Sequence, residues 1–402
     1  MTSSDRLRQQ LSSWFVAAIV GALGTALAGL LTAPASAPFP GHGEDFARQA
    51  ADPFSLVGAF PQRILWPLLA HLGGRLGIGP AMFSQVCSGF LLAVVFWSCR
   101  RRSASVVDAL LVTAAVGATG AVQLYQLMTC HSDSLNWALM LLLVHHVGRR
   151  TVFWPLVLLC ALSHEMIFFF APWLVYLRWR QSGLLGVECA SLAAVVALYQ
   201  LWRMLVRSIG HVQGYDVQYY LTNHWLPWGT PGLWLLWAMM LVVEFGPILA
   251  VVVWAWRTDR LSMGPAGPWL LLAGVLSLMV FAYDVQRFAS YAFLPLVLGS
   301  VPLLALPGGR AVYAGLWGAG ICSYLGLHWA KGQAGGWVFD RVSGLMLEQG
   351  VPFDHARFFT AVLPLVWPAA LGFAAAAAAI FAFGFWLARR FPEPARSDAA
   401  GG

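Results

Sequence analysis

Apolar residues in this chain fall in long unbroken runs, and polar residues fall in short clusters between them. A helix needs roughly 17–25 apolar residues to cross a hydrocarbon core. By that measure the pattern predicts helices near residues 11–33, 80–98, 106–128, 134–148, 184–205, 232–256, 267–283, 288–306, 312–329 and 360–388. The expected fold class is all-α: a polytopic transmembrane helical bundle of about ten spanning helices. The first run, Leu11–Ala33, is too long for the apolar core of a signal peptide and lacks a clear small-residue cleavage site. It therefore reads as the first span.

Residues 152–177 depart from the pattern. The stretch LCALSHEMIFFFAPW, residues 159–173, sets His164 and Glu165 in the middle of an apolar run. An ionisable group at membrane depth costs stability and usually marks function. Arg149 and Arg150 precede the run, and Arg178 and Arg180 follow it. If the segment enters and leaves on one side, the cytoplasmic ends collect Arg6, Arg8, Arg100, Arg101, Arg102, Arg149, Arg150, Arg178, Arg180, Arg257, Arg260, Arg310, Arg389, Arg390 and Arg396. That is fifteen of the 24 Lys and Arg. A single crossing would invert every later loop and strand Arg257, Arg260, Arg389 and Arg390 outside, against the positive-inside rule.

The expectation is a re-entrant helical hairpin (152–177). Its half-length helices are 152–162 and 165–177, and His164–Glu165 sits at the tip facing the external side. Irregular backbone at that depth is tolerated only when buried in protein or lining a wet cavity. The chain then reads as a single transmembrane domain, 1–390, with external loops 35–79 and 330–358. A disordered tail, 391–402, follows; both termini are cytoplasmic and the location is the plasma (inner) membrane.

Composition sharpens the class. The chain is 59% hydrophobic and 10% charged, with mean hydropathy +0.70; a soluble domain carries about 25% charge. The net charge of +7 does not point to nucleic acid, because the basic residues flank apolar runs. Six cysteines (Cys87, Cys99, Cys130, Cys160, Cys189 and Cys322) form no CxxC pair and read as buried thiols. Twenty tryptophans suit interfacial belts.

This topology gathers the unusual polar residues on the external face. The first loop carries Glu44, Asp45, Asp52 and Arg63. The turn MTCHSDSLNWALM carries His131 and Asp133, and the hairpin tip carries His164 and Glu165. FAYDVQRFASYAFLPL brings Asp284 and Arg287, and the last loop begins with Lys331. Such convergence suggests a cavity for a polar, anionic group. An adjacent acidic pair in a loop suits general-base work or metal binding. Arg287 and Lys331 suit phosphate.

Bland alternatives stand beside these. Asp133 in HSDS fits an N-cap of the fourth helix, and Asp284–Arg287 at i,i+3 fits a surface ion pair. His164–Glu165 fits a knot that satisfies the hairpin backbone. Glu244, in VVEFGPIL beside a Gly-Pro break, would pair with Arg203 or stay protonated. No HExxH or GxSG pattern is present.

Five features together resemble a known family: a first helix; a long external loop with Glu44–Asp45; PQRILWPLLAHLGG (61–74) leading into helix two; Asp133 opening helix four; and LSHEMIFFFAPWLVYL followed later by DVQRFASYAFLPLVLG (284–299). The pattern resembles the GT-C superfamily of integral-membrane glycosyltransferases, over about residues 10–300. The resemblance implies transfer of a sugar from a polyprenyl-phosphate-linked donor to an extracytoplasmic glycan, lipid or protein acceptor at the outer membrane boundary. It implies a first-loop acid as catalytic base, at Asp45 with Glu44. That superfamily commonly carries Lys-Glu at the hairpin; His164–Glu165 departs from it. The large C-terminal soluble domain of the bigger members is also missing.

On this reading Asp45 is the base, Asp133 and Glu165 orient the sugar or the loop, and Arg287 with Arg63 or Lys331 holds the phosphate. His131, His164 and Asp284 complete the substrate-binding set. No cofactor motif is present; a divalent cation (Mg or Mn) bridging acids and phosphate is an option the acids leave open. The competing reading is a transporter or flippase of a lipid-linked or anionic substrate, which also uses broken helices and buried charge.

Overall fold

The computed structural model describes residues 3–32, 42–54, 61–120, 122–123, 129–209, 241–242, 244–281, 289–330 and 355–392. Among the described residues there is no strand; the fold is all-α, with 14 α-helices and three short 3₁₀ turns. By contacts the chain divides into two compact units, 1–216 with 263–278, and 217–262 with 279–402.

In the first unit α1 (Ser3–Thr32) lies against α4 (Pro80–Arg101), while α2 (His42–Ala51) and α3 (Leu65–Gly74) fold up the first long loop. The α1–α4 contact is antiparallel and built on small residues. Trp14 stacks on Trp97 at 4.8 Å, and a β-carbon on Gly21 would meet the Gly89 carbonyl at 2.2 Å. Close backbone approach through glycines is how apolar helices associate where no hydrophobic force separates them from their surroundings.

Next come α5 (Val106–Gly117), α6 (Asp133–His145), α7 (Arg150–Ser163), a 3₁₀ turn (Glu165–Phe170), α8 (Ala171–Ser182) and α9 (Leu185–Ile209). The segment α7–turn–α8 doubles back. Glu188, at the start of α9, accepts from the indole of Trp154 at 2.9 Å and pairs with Arg178 at 2.8 Å. The Arg178 guanidinium also lies 5.8 Å from the ring of Phe153. The beginning of α7 and the end of α8 therefore meet at one level, so the two helices form a hairpin. At 1.5 Å per residue α7 rises about 21 Å, short of the roughly 30 Å of a bilayer core.

His164 makes the turn. Its backbone is extended (φ −160, ψ 116), which ends α7, and its Nδ1 accepts from the N–H of Met166 at 3.4 Å. Alongside, α11 (Gly267–Phe281) runs antiparallel to α8. The Ala266 N–H donates to the Tyr176 hydroxyl at 3.2 Å, and Gly274 is close enough to the turn that a β-carbon would meet Phe170 at 2.5 Å.

The second unit packs α10 (Leu249–Arg257), which precedes α11 in the chain, with α12 (Phe293–Leu304), α13 (Gly309–Ala330) and α14 (His355–Arg390). Trp254 donates to the Phe391 carbonyl at 3.1 Å, and a β-carbon on Gly384 would meet Val253 at 2.6 Å. A 3₁₀ turn, Gly246–Ile248, opens α10, and another, Ser290–Ala292, opens α12.

Among the described residues, four helical segments are long and apolar enough to cross a membrane: Ser12–Leu30, Pro80–Arg101, Leu185–Ile209 and Leu371–Arg390. Several of the ten expected spans are shorter helices here. Within 106–128 the helix α5 ends at Gly117 and helical backbone is seen again at 120 and 122–123, with 121 and 124–128 outside the described residues; 134–148 yields 13 residues. Much of 232–256 and the tail from 393 lie outside the described residues. Two of these segments carry bare apolar faces: Leu23, Leu27 and Leu30 on α1, and Leu198, Leu201 and Met204 on α9, are each more than half exposed, whereas Pro80–Arg101 is mostly buried. Cys87, Cys99, Cys130 and Cys160 are buried as expected, whereas Cys189 is exposed, on α9.

Both partners of Arg178–Glu188 are buried, with side-chain exposures of 4% and 1%. Removing one partner leaves a buried charge uncompensated, at a cost of about 3–5 kcal/mol. Glu188→Ala is expected to lower the melting temperature in detergent sharply, and Arg178→Met with Glu188→Leu to recover most of that loss; thermal unfolding of the three variants checks this.

Candidate functional site

Two ends of the first unit differ in chemistry. At one end stand Arg101 (5.3 Å from the Trp97 ring), His145 and His146 packed on the same ring, and the Arg178–Glu188 pair. These are the residues that charge counting assigns to the cytoplasm. The opposite end, reached along α9 by the eleven residues from Glu188 to Tyr199, lies about 17 Å away. It holds the hairpin tip and the folded first loop.

There Glu165 faces Arg63. The guanidinium donates from Nε to Oε2 at 2.8 Å and from a terminal nitrogen to Oε1 at 2.7 Å, the planar two-bond fork that arginine forms with carboxylates. Arg63 is buried and Glu165 is 28% exposed. Burial pushes the Glu165 carboxyl up, but the charge and hydrogen bonds of Arg63 outweigh it, so its pKa lies below the ordinary 4.5. The loop carrying Arg63 is fastened on both sides. Gln49 donates to the Pro61 carbonyl at 3.1 Å, and Trp202 of α9 donates to the Gln62 carbonyl at 3.0 Å. Three residues beyond Arg63, Trp66 is fully buried against Phe46 and Phe83.

Phe46 links this cluster to the turn before α6: its ring lies 6.3 Å from that of His131. His131 donates from Nδ1 to the Thr129 carbonyl at 3.2 Å. Ser84 of α4 receives the Cys130 N–H at 2.6 Å, and Ser88 meets Ser134 at 3.3 Å. Asp133 is 2% exposed and is the first residue of α6; the N-cap position belongs to Ser132, not to Asp133 as an HSDS cap would have it.

The structure thus ties the tip residues His164 and Glu165 to Arg63, and links through Phe46 and Trp66 the segments that carry Glu44 and Asp45 (α2) and His131 and Asp133, but these residues are not equals. Glu44 is exposed, and Asp45 is half-buried, paired with Arg48 of the same helix. Arg48 is 75% exposed, and a surface pair of that kind is worth about 0–1 kcal/mol, so Asp45 is held only lightly. His131, Asp133 and His164 are buried, and His164 does the backbone-satisfying work of the tip. Arg63, expected on phosphate, is taken up by Glu165. Asp284, Arg287 and Lys331 lie outside the described residues. Among the described residues no group of three His, Cys, Asp or Glu side chains is placed to hold a metal ion, and the tip carboxylate is already committed to a cation. This corner does not fit the divalent ion considered above.

Sequence reasoning did not anticipate the inward face of α9. Val195, Tyr199 and Val206 are buried there, with Trp202 and Arg203 half-buried beside them. Their i, i+4, i+7, i+8 spacing was the available signal. Glu244, in the second unit, accepts from the Ser290 hydroxyl at 2.7 Å rather than from Arg203.

No protein-family model matches this chain, and no characterised protein or solved structure matches it.

Because Glu165 ionises more readily here than in an unfolded chain, its contribution is fully present above pH 4.5 and fades as pH falls through the depressed native value. The stability gap between the wild type and Glu165→Gln is expected to be constant near neutrality and to close on acidification. Melting temperatures of both proteins across that range measure it.

Proposed function

We propose that this chain is an integral-membrane glycosyltransferase. It moves a sugar from a polyprenyl-phosphate donor to an acceptor on the external side, with Asp45 as general base. One observation carries the reading: the tip of a hairpin too short to cross a bilayer is locked by Glu165–Arg63 onto the loop that presents Asp45, at the end opposite the arginine-rich one. The four apolar segments support a membrane setting, and the sidedness follows from the positive-inside rule.

The chemistry follows from what each group can do. Asp45, released from its weak surface pair with Arg48, takes the proton of the acceptor hydroxyl. The hydroxyl oxygen forms its bond to the anomeric carbon as the bond from that carbon to the phosphate oxygen breaks. The electron pair leaves with the polyprenyl phosphate, whose growing negative charge needs fixed cations nearby. Glu165 acts by holding Arg63, and with it the loop, in place, and Asp133 supports the wall behind His131. A base worth about 10²–10⁴-fold in rate is expected to show itself directly. Asp45→Asn should drop transfer of label from a polyprenyl-phosphate sugar by that order while leaving the melting temperature unchanged. Near-normal turnover would remove the base assignment, and Glu44→Gln is expected to lose less.

A specific feature favours the transporter alternative. Glu244 is buried (3% exposed) beside the Gly246–Pro247 break, and its second oxygen has no hydrogen-bond partner among the described residues. Broken helices with a buried carboxylate are also how ion-coupled carriers are built. Glu244→Gln separates the two readings: glycosyl transfer is expected to survive it, whereas coupled transport measured in proteoliposomes would not.

A further inference from the structure

Two helices of the second unit end together in a group of cations that nothing above uses. Ala250 and Val253 of α10 meet Gly384 of α14, and Trp254 of α10 meets Phe391 just past the end of α14. Contact advances along both helices in the same direction, so they run parallel and their C-termini lie at one end. Arg257, Arg260, Arg389 and Arg390 stand there, and the described acid among them is Asp259, which is exposed. None of the four arginines forms an ion pair among the described residues. Arg260 folds back over α10, its N–H donating to the Ala255 carbonyl at 2.8 Å, and two of its guanidinium nitrogens are buried without a partner among the described residues.

The faces of α14 separate cleanly. Gly384 and the fully buried Leu387 turn toward α10. Phe381, Phe385 and Arg389 recur at intervals of four and form one ridge away from it. Phe381 and Phe385 are 43% and 45% exposed. At about 100° per residue the exposed Ala378 and Ala382 fall in the same sector. The Arg257 guanidinium reaches across from α10 to lie 5.3 Å from the centre of the Phe385 ring, and Arg389 follows that ring by one turn. Two cations and an apolar strip floored by alanine therefore share one side of the helix. The cations stand at the polar end of Leu371–Arg390, a segment long and apolar enough to cross a membrane.

The helix dipole favours a cation at any helix C-terminus. It accounts for Arg257 and Arg389 singly, but not for two guanidinium groups bordering one ring with no acid between them. A soluble anion would satisfy the charges and leave the strip bare. A molecule with an anionic head and a hydrocarbon chain uses both, and basic pockets between membrane helices on the cytoplasmic side suit such headgroups. Charge counting assigns this end to the cytoplasm, so the occupant belongs to the inner leaflet.

We infer that Arg257 and Arg389 form a site for the phosphate of an anionic glycerophospholipid, with an acyl chain lying on the strip of Ala378, Phe381, Ala382 and Phe385. The site stands apart from the glycosyl-transfer reading and does not depend on it.

The test uses the full chain in nanodiscs of phosphatidylcholine doped with phosphatidylglycerol and reads retained phosphatidylglycerol by native mass spectrometry. Glycerol 3-phosphate serves as the soluble comparison. Arg257→Gln and Arg389→Gln are each expected to weaken retention by about fivefold and the double variant by about 25-fold. Arg390→Gln removes a charge from the same helix end but off the Phe385 ridge, and is expected to cost less than twofold. Melting temperatures establish that each variant is folded, and the double Arg→Lys variant at 257 and 389 is expected to keep most of the binding.

Equal retention by the wild type and the folded double Gln variant would overturn the site. So would a loss in Arg390→Gln as large as in Arg389→Gln, which would mean diffuse charge rather than a built site. Equal retention of phosphatidylcholine would overturn the anionic headgroup, and displacement by glycerol 3-phosphate in large excess would overturn the role of the acyl chain. Binding that emerges only when Glu393→Gln and Asp398→Asn are introduced would mean that the chain's own tail, rather than lipid, answers these arginines.

Discussion

A charge surrounded by apolar atoms must find its opposite or not be charged at all, because the desolvation penalty runs to several kcal/mol per ion. The first unit obeys this constraint twice, at the two ends of one hairpin. Glu188 gathers Arg178 and Trp154 where the arms begin and end. Glu165 takes Arg63 where they turn. Each pair ties the hairpin to something outside it: α9 at the base and the first loop at the tip. The depth of the hairpin, the position of the loop and the gathering of acids beside it all depend on those pairs.

The same energetics sorts the candidate residues. Breaking a buried two-bond pair such as Arg63–Glu165 is costly, so these residues hold shape. The Asp45–Arg48 pair on an exposed helix face is nearly free to open, so Asp45 can exchange partners during a reaction. Asp133, His131 and His164, all buried, belong with the framework. Framework and proposed base are thus separated by how tightly each is held rather than by residue type.

The hairpin was legible in the sequence because arginines mark both of its flanks, and charge asymmetry needs no tertiary knowledge. The acids of the first loop and of the turn before α6 were legible as a group for the same reason. Helix lengths were not: hydropathy reports an apolar run, while helices end where backbone and packing end them. Residues 106–128 read as one span by hydropathy, yet the α5 helix stops at Gly117. The bond between Arg63 and Glu165 was out of reach as well, since it joins positions 102 residues apart and nothing in either local pattern selects the other. Tyr199 and Arg203 were hidden for a different reason. In an apolar run of α9 they read as interruptions until the helical spacing places them on one face.

The reversal of the chain between Arg149 and Gln181 is the claim on which sidedness, site and mechanism all stand. Single cysteines placed at those two exposed positions, in a background freed of the native thiols, can be labelled with a membrane-impermeant reagent in intact spheroplasts and in inside-out vesicles. Labelling of both positions only from the cytoplasmic face is the outcome expected of a hairpin. Labelling of one from each face would mean that residues 152–177 cross the bilayer, and it would contradict the structure's central feature and the function drawn from it.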